Sequence, residues 1–411
     1  MKRVYFDHAA TTPTDPAIAQ VVVDYMTNKF GNPGSVHIFG REARQAVDVS
    51  REQVAKLIGA QPTEIFFTSG GTESDNIALK GVAYANRSRG NHIITTAVEH
   101  HAVLEPCEDL KKEGFVLTIL PVDEFGMVDV EKVKAAITPE TIIISVMFAN
   151  NEVGTIQPIA AIGALAREKG IYFHTDAVQA VGNWPIDVQA MNIDLLTMSG
   201  HKFNAPKGIG ALYVRKGVRL RSIQQGGGQE RKLRPGTENV PGIVGIGMAA
   251  EKAHAGMEKK VRETAALRER LLTGVMAKVP DLKLNGHPTK RLPGNANVSV
   301  RYVEGESLLL NLDMKGIAAS SGSACTSGSL DPSHVLLAMG LDHATAHGSL
   351  RLTLGMGSTE QDVDYFLEVF PAIVERLRNM SPLYAMRGEG AASQRCNSAS
   401  CKDTECEIRG S

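Results

Sequence analysis

The sequence predicts an α/β protein built on an open, mostly parallel sheet, and three features predict it. Short β-type runs alternate with longer helix-type runs from about Pro16 to Arg215. One of them, residues 141–147, is almost continuously apolar, as expected of a strand covered on both faces. The unusual polar residues gather at the ends of successive strands, where open α/β sheets bind ligands.

Taken in order, seven runs read as strands: 64–68, 91–96, 115–120, 141–147, 171–175, 194–198 and 211–214. Gly70, Gly71 and Thr72 follow the first and open a helix over 73–84, and a second helix over 159–168 is stopped by Gly170. A Glu-, Lys- and Arg-rich helix over 251–272 reads as a connector to a second region. That region mixes a strand over 296–302 with helices over 306–314 and 361–377. The expected division is a large domain over 13–255, a smaller α+β domain from 1–12 and 256–380, and a tail over 381–411. The tail is expected to be flexible from its Gly, Ser and Ala content.

Composition limits the function. The 411 residues hold 44 Lys+Arg against 45 Asp+Glu, a formal net charge of −1. A nucleic-acid or anionic-membrane surface normally shows a basic excess, so neither is expected as a partner and the substrate should be small. No run is long enough to span a bilayer, and Met1–Asp7 lacks the apolar stretch of a secretory signal. The five cysteines are odd in number and scattered, so free thiols in a reducing cytoplasm are expected rather than a disulfide framework.

Five strand ends carry polar clusters: Gly71-Thr72, Glu99-His100, Asn150-Asn151, Asp176 with Gln179, and Ser199 to Lys202. Lys202 closes Ser199-Gly-His-Lys202; most lysines in loops are merely solvated, but an amine with a lowered pKa captures carbonyl cofactors. Asp176 is equally read as a helix N-cap or as the partner of a pyridinium nitrogen, which keeps such a ring able to accept electrons. Gln179, three residues on, is expected on the same helical face, within reach of a ring oxygen. Gly71 and Thr72 open a helix, whose amides and positive end suit an anion, although a Gly-Gly turn is common. His100 or His101 is ordinarily a surface or core histidine; at a strand end it can stack on an aromatic ring and move protons.

The second region offers a thiol and a fork. Cys325 lies among Ser and Gly in residues 319–330. Cysteines are most often buried structural residues, but little that is apolar surrounds this one, and a mobile thiol suits a reagent that enters and leaves a pocket. Arg351 interrupts a strand-like run at 349–353, as an ion-pair residue or as a clamp for an α-carboxylate. In the tail, Cys396, Cys401 and Cys406 recur every five residues. Without a C-x-x-C pair they do not form a recognised metal site, and no metal is expected.

Together these motifs resemble those of the cysteine desulfurases, pyridoxal-phosphate (PLP) enzymes of the aspartate-aminotransferase fold, fold type I. The resemblance runs from Tyr5-Phe-Asp-His-Ala-Ala-Thr-Thr12 to about Pro382. It includes the motifs at 30–37, 149–154, 199–202 and 234–239. The loop around Cys325 is similar to that of the long-loop subgroup. Ala205, residues 344–348 and residues 377–382 look like the type that serves nitrogenase clusters.

The resemblance implies that Lys202 holds PLP covalently and acts as the base, while Cys325 receives sulfur from L-cysteine as a persulfide. It implies that His100 stacks on the ring, Asp176 meets its nitrogen and Gln179 its phenolic oxygen. Gly71, Thr72, Ser199 and His201 would hold the phosphate, with Thr237 reaching in from the other subunit of a homodimer. Asn151 and Arg351 would hold the substrate carboxylate. The implied products are alanine and sulfur for an iron–sulfur scaffold or another acceptor protein. Pro235 departs from the family pattern, and the Cys-containing tail has no counterpart in it. Two other readings stand beside this one: a PLP aminotransferase or lyase that uses no protein thiol, and a sulfur or metal carrier built around the tail.

Overall fold

The computed structural model describes residues 2–321, 332–382, 384 and 385. In chain order its first half contains β1 (Val4–Tyr5), α1 (Pro16–Thr27), α2 (Ile38–Leu57), β2 (Ile65–Thr68), α3 (Gly71–Asn86), β3 (His92–Thr96), α4 (His101–Lys112) and β4 (Val116–Leu120). Then come α5 (Val130–Ala136), β5 (Thr141–Ser145), α6 (Ile159–Lys169), β6 (Tyr172–Asp176), β7 (Leu195–Ser199) and β8 (Gly210–Val214). The remainder is α7 (Val240–Lys278), β9 (Leu282–Leu284), β10 (Asn295–Val300), α8 (Gly305–Asp313), β11 (Ile317–Ala318), α9 (His334–Ala338), α10 (His343–His347), β12 (Ser349–Thr353) and α11 (Glu360–Asn379).

The seven predicted strands form one sheet in the order β2-β8-β7-β6-β5-β3-β4. Only β8 runs against its neighbours, pairing antiparallel with both β2 and β7. The cause is the connection. Residues 200–209 turn back through Gly208 at φ +78°, too short a link for the crossover that parallel pairing needs. Lys202 sits in that return, at the end of a short 3-10 turn over Gly200–Lys202.

The sheet is covered on both faces, and every residue of β5 is buried. On one face α3 and α4 pack Ile77, Val82, Val103 and Leu110 against Ile93 and Leu195. On the other, α2, α6 and the start of α7 bury Val47, Val54, Ile162, Ile243 and Ile246 with Ile144 and Phe173. A second core forms around the antiparallel sheet β12-β10-β9, joining Val298 and Leu350 to Leu271, Leu308, Phe366 and Phe370. β1 returns to this region by pairing with β11.

The connector helix begins earlier than its charge suggests. It starts at Val240, behind an Asn239 cap and with Pro241 in the first turn, and is 39 residues long. Its first part, Val240 to Ala253, is small and apolar and lies in the first core. Leu271, Leu272 and Val275 at its far end enter the second core, so one continuous helix spans the expected boundary at 255. Among the described residues no helix is long and apolar enough to cross a membrane.

Candidate active site

Three predicted residues lie at the carboxyl ends of β3, β6 and β7. Asp176 is the last residue of β6, Ser199 that of β7, and His100 follows β3 as the N-cap of α4. His100 Nδ1 accepts from the Ala102 amide at 3.0 Å, which leaves the ring proton on Nε2 in the neutral form. Burial lowers the His100 pKa; the Asp176 charge opposes that effect and the Lys202 charge adds to it. Burial raises the Asp176 carboxyl, with His100, the Val178 amide and Lys202 acting the other way. Asp176, His100 and Lys202 therefore share one electrostatic environment.

Lys202 Nζ donates to the carbonyls of Ala9 and Ala10, the latter at 2.8 Å. Gln179 Nε2 donates to the same Ala9 carbonyl at 3.0 Å. The segment after Asp176 is a run of turns, not the expected helix. Gln179 and Asp176 thus do not share a helical face, because Asp176 Oδ1 accepts from the Val178 amide at 2.9 Å and folds the chain immediately. With no helix after it, Asp176 is not the expected N-cap; its carboxylate closes a local turn and still lies among the site groups. Beside Lys202 a cavity of about 50 Å³ is lined by His8, Thr12, Gln179, Asn183 and Lys260.

The N-terminus of α3 forms an anion cradle. Its cap residue, Gly70, supplies no side-chain acceptor, so the first amides of the helix stay available. A Cβ on Gly71 would come within 2.7 Å of Val178 Cγ2, and one on Gly210 within 2.7 Å of Gly70 Cα. Only glycine allows this close approach of helix, turn and sheet. Ser199 Oγ would lie 3.8 Å from a Cβ on Gly70, and His201 Nδ1 lies 3.1 Å from Thr11 Oγ1. Burial, then the Lys202 charge, holds the His201 pKa down to about 4, so this imidazole is neutral at physiological pH. Thr237 is exposed, on a segment tied to the cradle through the Arg234–Glu73 ion pair at 2.9 Å.

Arg351 is buried in β12, opposite Asn297 of β10. Its guanidinium donates to the Asn151 carbonyl at 3.2 Å and to Asp7 Oδ1 at 3.0 Å. The structure thus brings Asn151 and Arg351 together, as a carboxylate clamp requires. Cys325, Cys396, Cys401 and Cys406 lie outside the described residues. Cys107 is buried in α4 and its thiol is pushed up to about 12 by burial, which rules it out as a thiolate nucleophile.

Two charged residues around the site carried no role in the sequence. Glu99 is fully buried, accepts from Thr96 Oγ1 at 2.7 Å and from the Met147 amide at 2.9 Å, and is pushed up to about 8 by burial. Asp75 of α3 is buried 3.5 Å from His174 Nε2, and its carboxyl is raised by burial and then by Asp176. Glu99 shows in the sequence only as part of a polar strand end, beside His100 and His101, and Asp75, among Glu73, Ser74 and Asn76, is unmarked.

The donor set fits PLP. The cradle would suit a phosphate, Asp176 would offer a buried carboxylate to a ring nitrogen, His100 would offer an imidazole, and Lys202 would offer an amine to the cofactor carbonyl. The comparisons agree. Residues 4–366 match the family model for class-V aminotransferases. The chain is 57% identical over 382 residues to cysteine desulfurase IscS of Methanosarcina thermophila, covering 93% of this chain and 94% of that protein. It is 56% identical over 385 residues to cysteine desulfurase IscS of Clostridium botulinum, covering 93% and 97%. A solved NifS-like protein superposes with a TM-score of 0.86 at 40% identity, covering 92% of this chain and all of that one. The chain belongs to the class-V aminotransferase family and, within it, to the PLP-dependent cysteine desulfurases.

Proposed function

We propose that the chain takes the sulfur of free L-cysteine onto Cys325, with Lys202 and the strand-end cluster holding PLP and Arg351 with Asn151 holding the substrate carboxylate. The observation that carries this reading is the convergence of Lys202, Asp176 and His100 in one environment beside an uncapped helix terminus. PLP supplies an electron sink that makes the substrate's α-proton removable.

The chain's own residues do the rest. Lys202 binds the cofactor and, once displaced by substrate, is the amine that takes the α-proton and returns one. Asp176 keeps a proton on the ring nitrogen. His100, neutral and with its proton on Nε2, is placed to move protons between substrate and thiol. Gln179 supports the ring oxygen, while Gly71, Thr72, Ser199 and His201 hold the phosphate. The Cys325 thiolate attacks the substrate Sγ; the C–S bond breaks, the carbon side takes a proton and leaves as alanine, and Cys325 keeps the sulfur as a persulfide. Cysteine and the enzyme thiol become alanine and the enzyme persulfide, so no external oxidant is needed.

The exposed Thr237 completes the phosphate site of a second copy, making the working enzyme a homodimer. Exposed Val23, Met26, Phe30, Val36, Ile38 and Phe39, close together along the chain, supply apolar surface for that contact. The persulfide passes to an iron–sulfur scaffold in the reducing cytoplasm. The resemblance of Ala205, residues 344–348 and residues 377–382 supports a scaffold of nitrogenase type.

The test is to supply cysteine and a thiol reductant to the PLP-loaded protein and measure products. Equal amounts of alanine and sulfide are expected, with a loss of at least about a hundredfold in Lys202→Ala. Pyruvate or an amino-group transfer product in place of alanine would overturn the reading.

A further inference from the structure

In the sequence Cys325 lies between Ser321 and Ser333, and both of these residues are fastened to the proposed carboxylate clamp. On the first flank, Ser320 and Arg351 exchange two backbone hydrogen bonds, at 3.2 and 2.6 Å. Ser349 Oγ also donates to the Ser321 carbonyl at 3.0 Å. On the second flank Ser333 caps α9, its Oγ accepting from the amides of Val335 and Leu336 at 3.1 and 3.3 Å. With its lone pairs so used, the Ser333 hydroxyl proton goes to Glu152 Oε2.

Glu152 follows Asn151 directly and is buried. Its carbonyl accepts from the side-chain amides of Asn295 and Asn297 at 3.2 and 3.1 Å, and Asn297 is the residue opposite Arg351. Its amide donates to Asn150 Oδ1 at 2.9 Å. One residue therefore ties three parts together: the loop that presents Asn151, the strand beside Arg351, and the start of α9.

A helix cap does not need this carboxylate, since the Ser333 oxygen already serves the α9 amides. Burying a carboxylate is costly, and here burial raises its pKa, with Ser333, His334, Arg351 and His101 acting against that. We propose that Glu152 is a positioning residue for sulfur transfer. By holding Ser333 it fixes the start of α9, eight residues after Cys325 in the sequence, relative to the Asn151–Arg351 pair. The proposal rests on the reading of Cys325 as sulfur acceptor and of Asn151 and Arg351 as clamp. Its content is that one polar node sets the register of both.

The test compares Glu152→Ala, Glu152→Gln and Ser333→Ala in the full-length protein. A misplacement of about 1 Å can cost up to about a hundredfold in rate, so persulfide formation should slow by roughly tenfold or more in Glu152→Ala and Ser333→Ala. The cysteine concentration that half-saturates the cofactor's spectral change should stay within about twofold, because the clamp side chains remain. Glu152→Gln keeps a carbonyl acceptor for Ser333 and should recover most of the rate. In protein without cofactor, the Val335 and Leu336 amides should exchange faster in Glu152→Ala and Ser333→Ala only. The proposal is overturned if Glu152→Ala and Ser333→Ala both form persulfide at the wild-type rate. It is equally overturned if cysteine binding weakens in parallel, or if Gln behaves as Ala. A Cys325→Ala protein that still yields alanine and sulfide at the wild-type rate would overturn the underlying reading instead.

Discussion

The Arg351 guanidinium is buried and donates to the Asp7 carboxylate at 3.0 Å, so the proposed clamp already carries an anion from the chain's own N-terminal segment. A substrate carboxylate has to compete with Asp7 for that fork. Asp7→Asn should therefore lower the KM for cysteine, and should cost about 1–3 kcal/mol of stability because the buried cation loses its counter-charge. Arg351→Ala should raise KM by roughly tenfold to a hundredfold, the worth of about 1.5–3 kcal/mol for a charged hydrogen bond. Steady-state kinetics and denaturant titration of the two variants check this.

Replacing Gly71 should weaken cofactor retention more than substrate recognition. A Cβ there meets Val178 Cγ2 at 2.7 Å, and the turn that follows Asp176 would have to give way. Gly71→Val is expected to lose PLP on dialysis while wild-type retains it, and Thr72→Ala to show a milder loss. Absorbance of the cofactor after dialysis measures both.

Lys202→Ala should abolish covalent capture of the cofactor and lower turnover by at least about a hundredfold to ten-thousandfold, the usual worth of a positioned acid–base group. Reductive trapping with borohydride followed by peptide mapping should label Lys202 in the wild-type protein and no lysine in the variant.

Stability should fall as pH rises toward 8, in part through Glu99. Its carboxyl is pushed up to about 8 by burial. Between the ordinary carboxylate range and that value the folded protein holds a proton that the unfolded chain has released, so each step up in pH favours unfolding. Glu99→Gln removes this titration and should flatten the decline of Tm from pH 5 to about 8, measured by thermal unfolding against pH.

Much of the fold was legible because it is local. The apolar run of each of the seven strands is entered from Gly or a charged residue, and each strand appears within a residue or two of its expected limits. The direction of β8 was not legible, because it depends on how the 200–209 link returns rather than on the strand's own residues. The start of α7 was missed for a related reason: its first turns are small and apolar, and charge was read as the mark of the connector.

The site divides in the same way. Lys202, Asp176 and His100 stood out as polar residues ending apolar runs. The pairs that support them did not. Asp7 and Arg351 are 344 positions apart, and Glu152 and Ser333 are 181 apart. Nothing in the residues themselves marks which distant partners will meet. The failed placement of Gln179 shows the converse. A periodicity argument assumed a helix where the Asp176 carboxylate folds the chain into turns.

The most direct measurement is mass spectrometry of the PLP-loaded protein after a single addition of cysteine, with peptides mapped under non-reducing conditions. One added sulfur atom on the peptide containing Cys325, formed in step with one alanine per site, is the predicted result. An unmodified Cys325 alongside full alanine production, or the sulfur on another cysteine in a Cys325→Ala protein of undiminished rate, would contradict it.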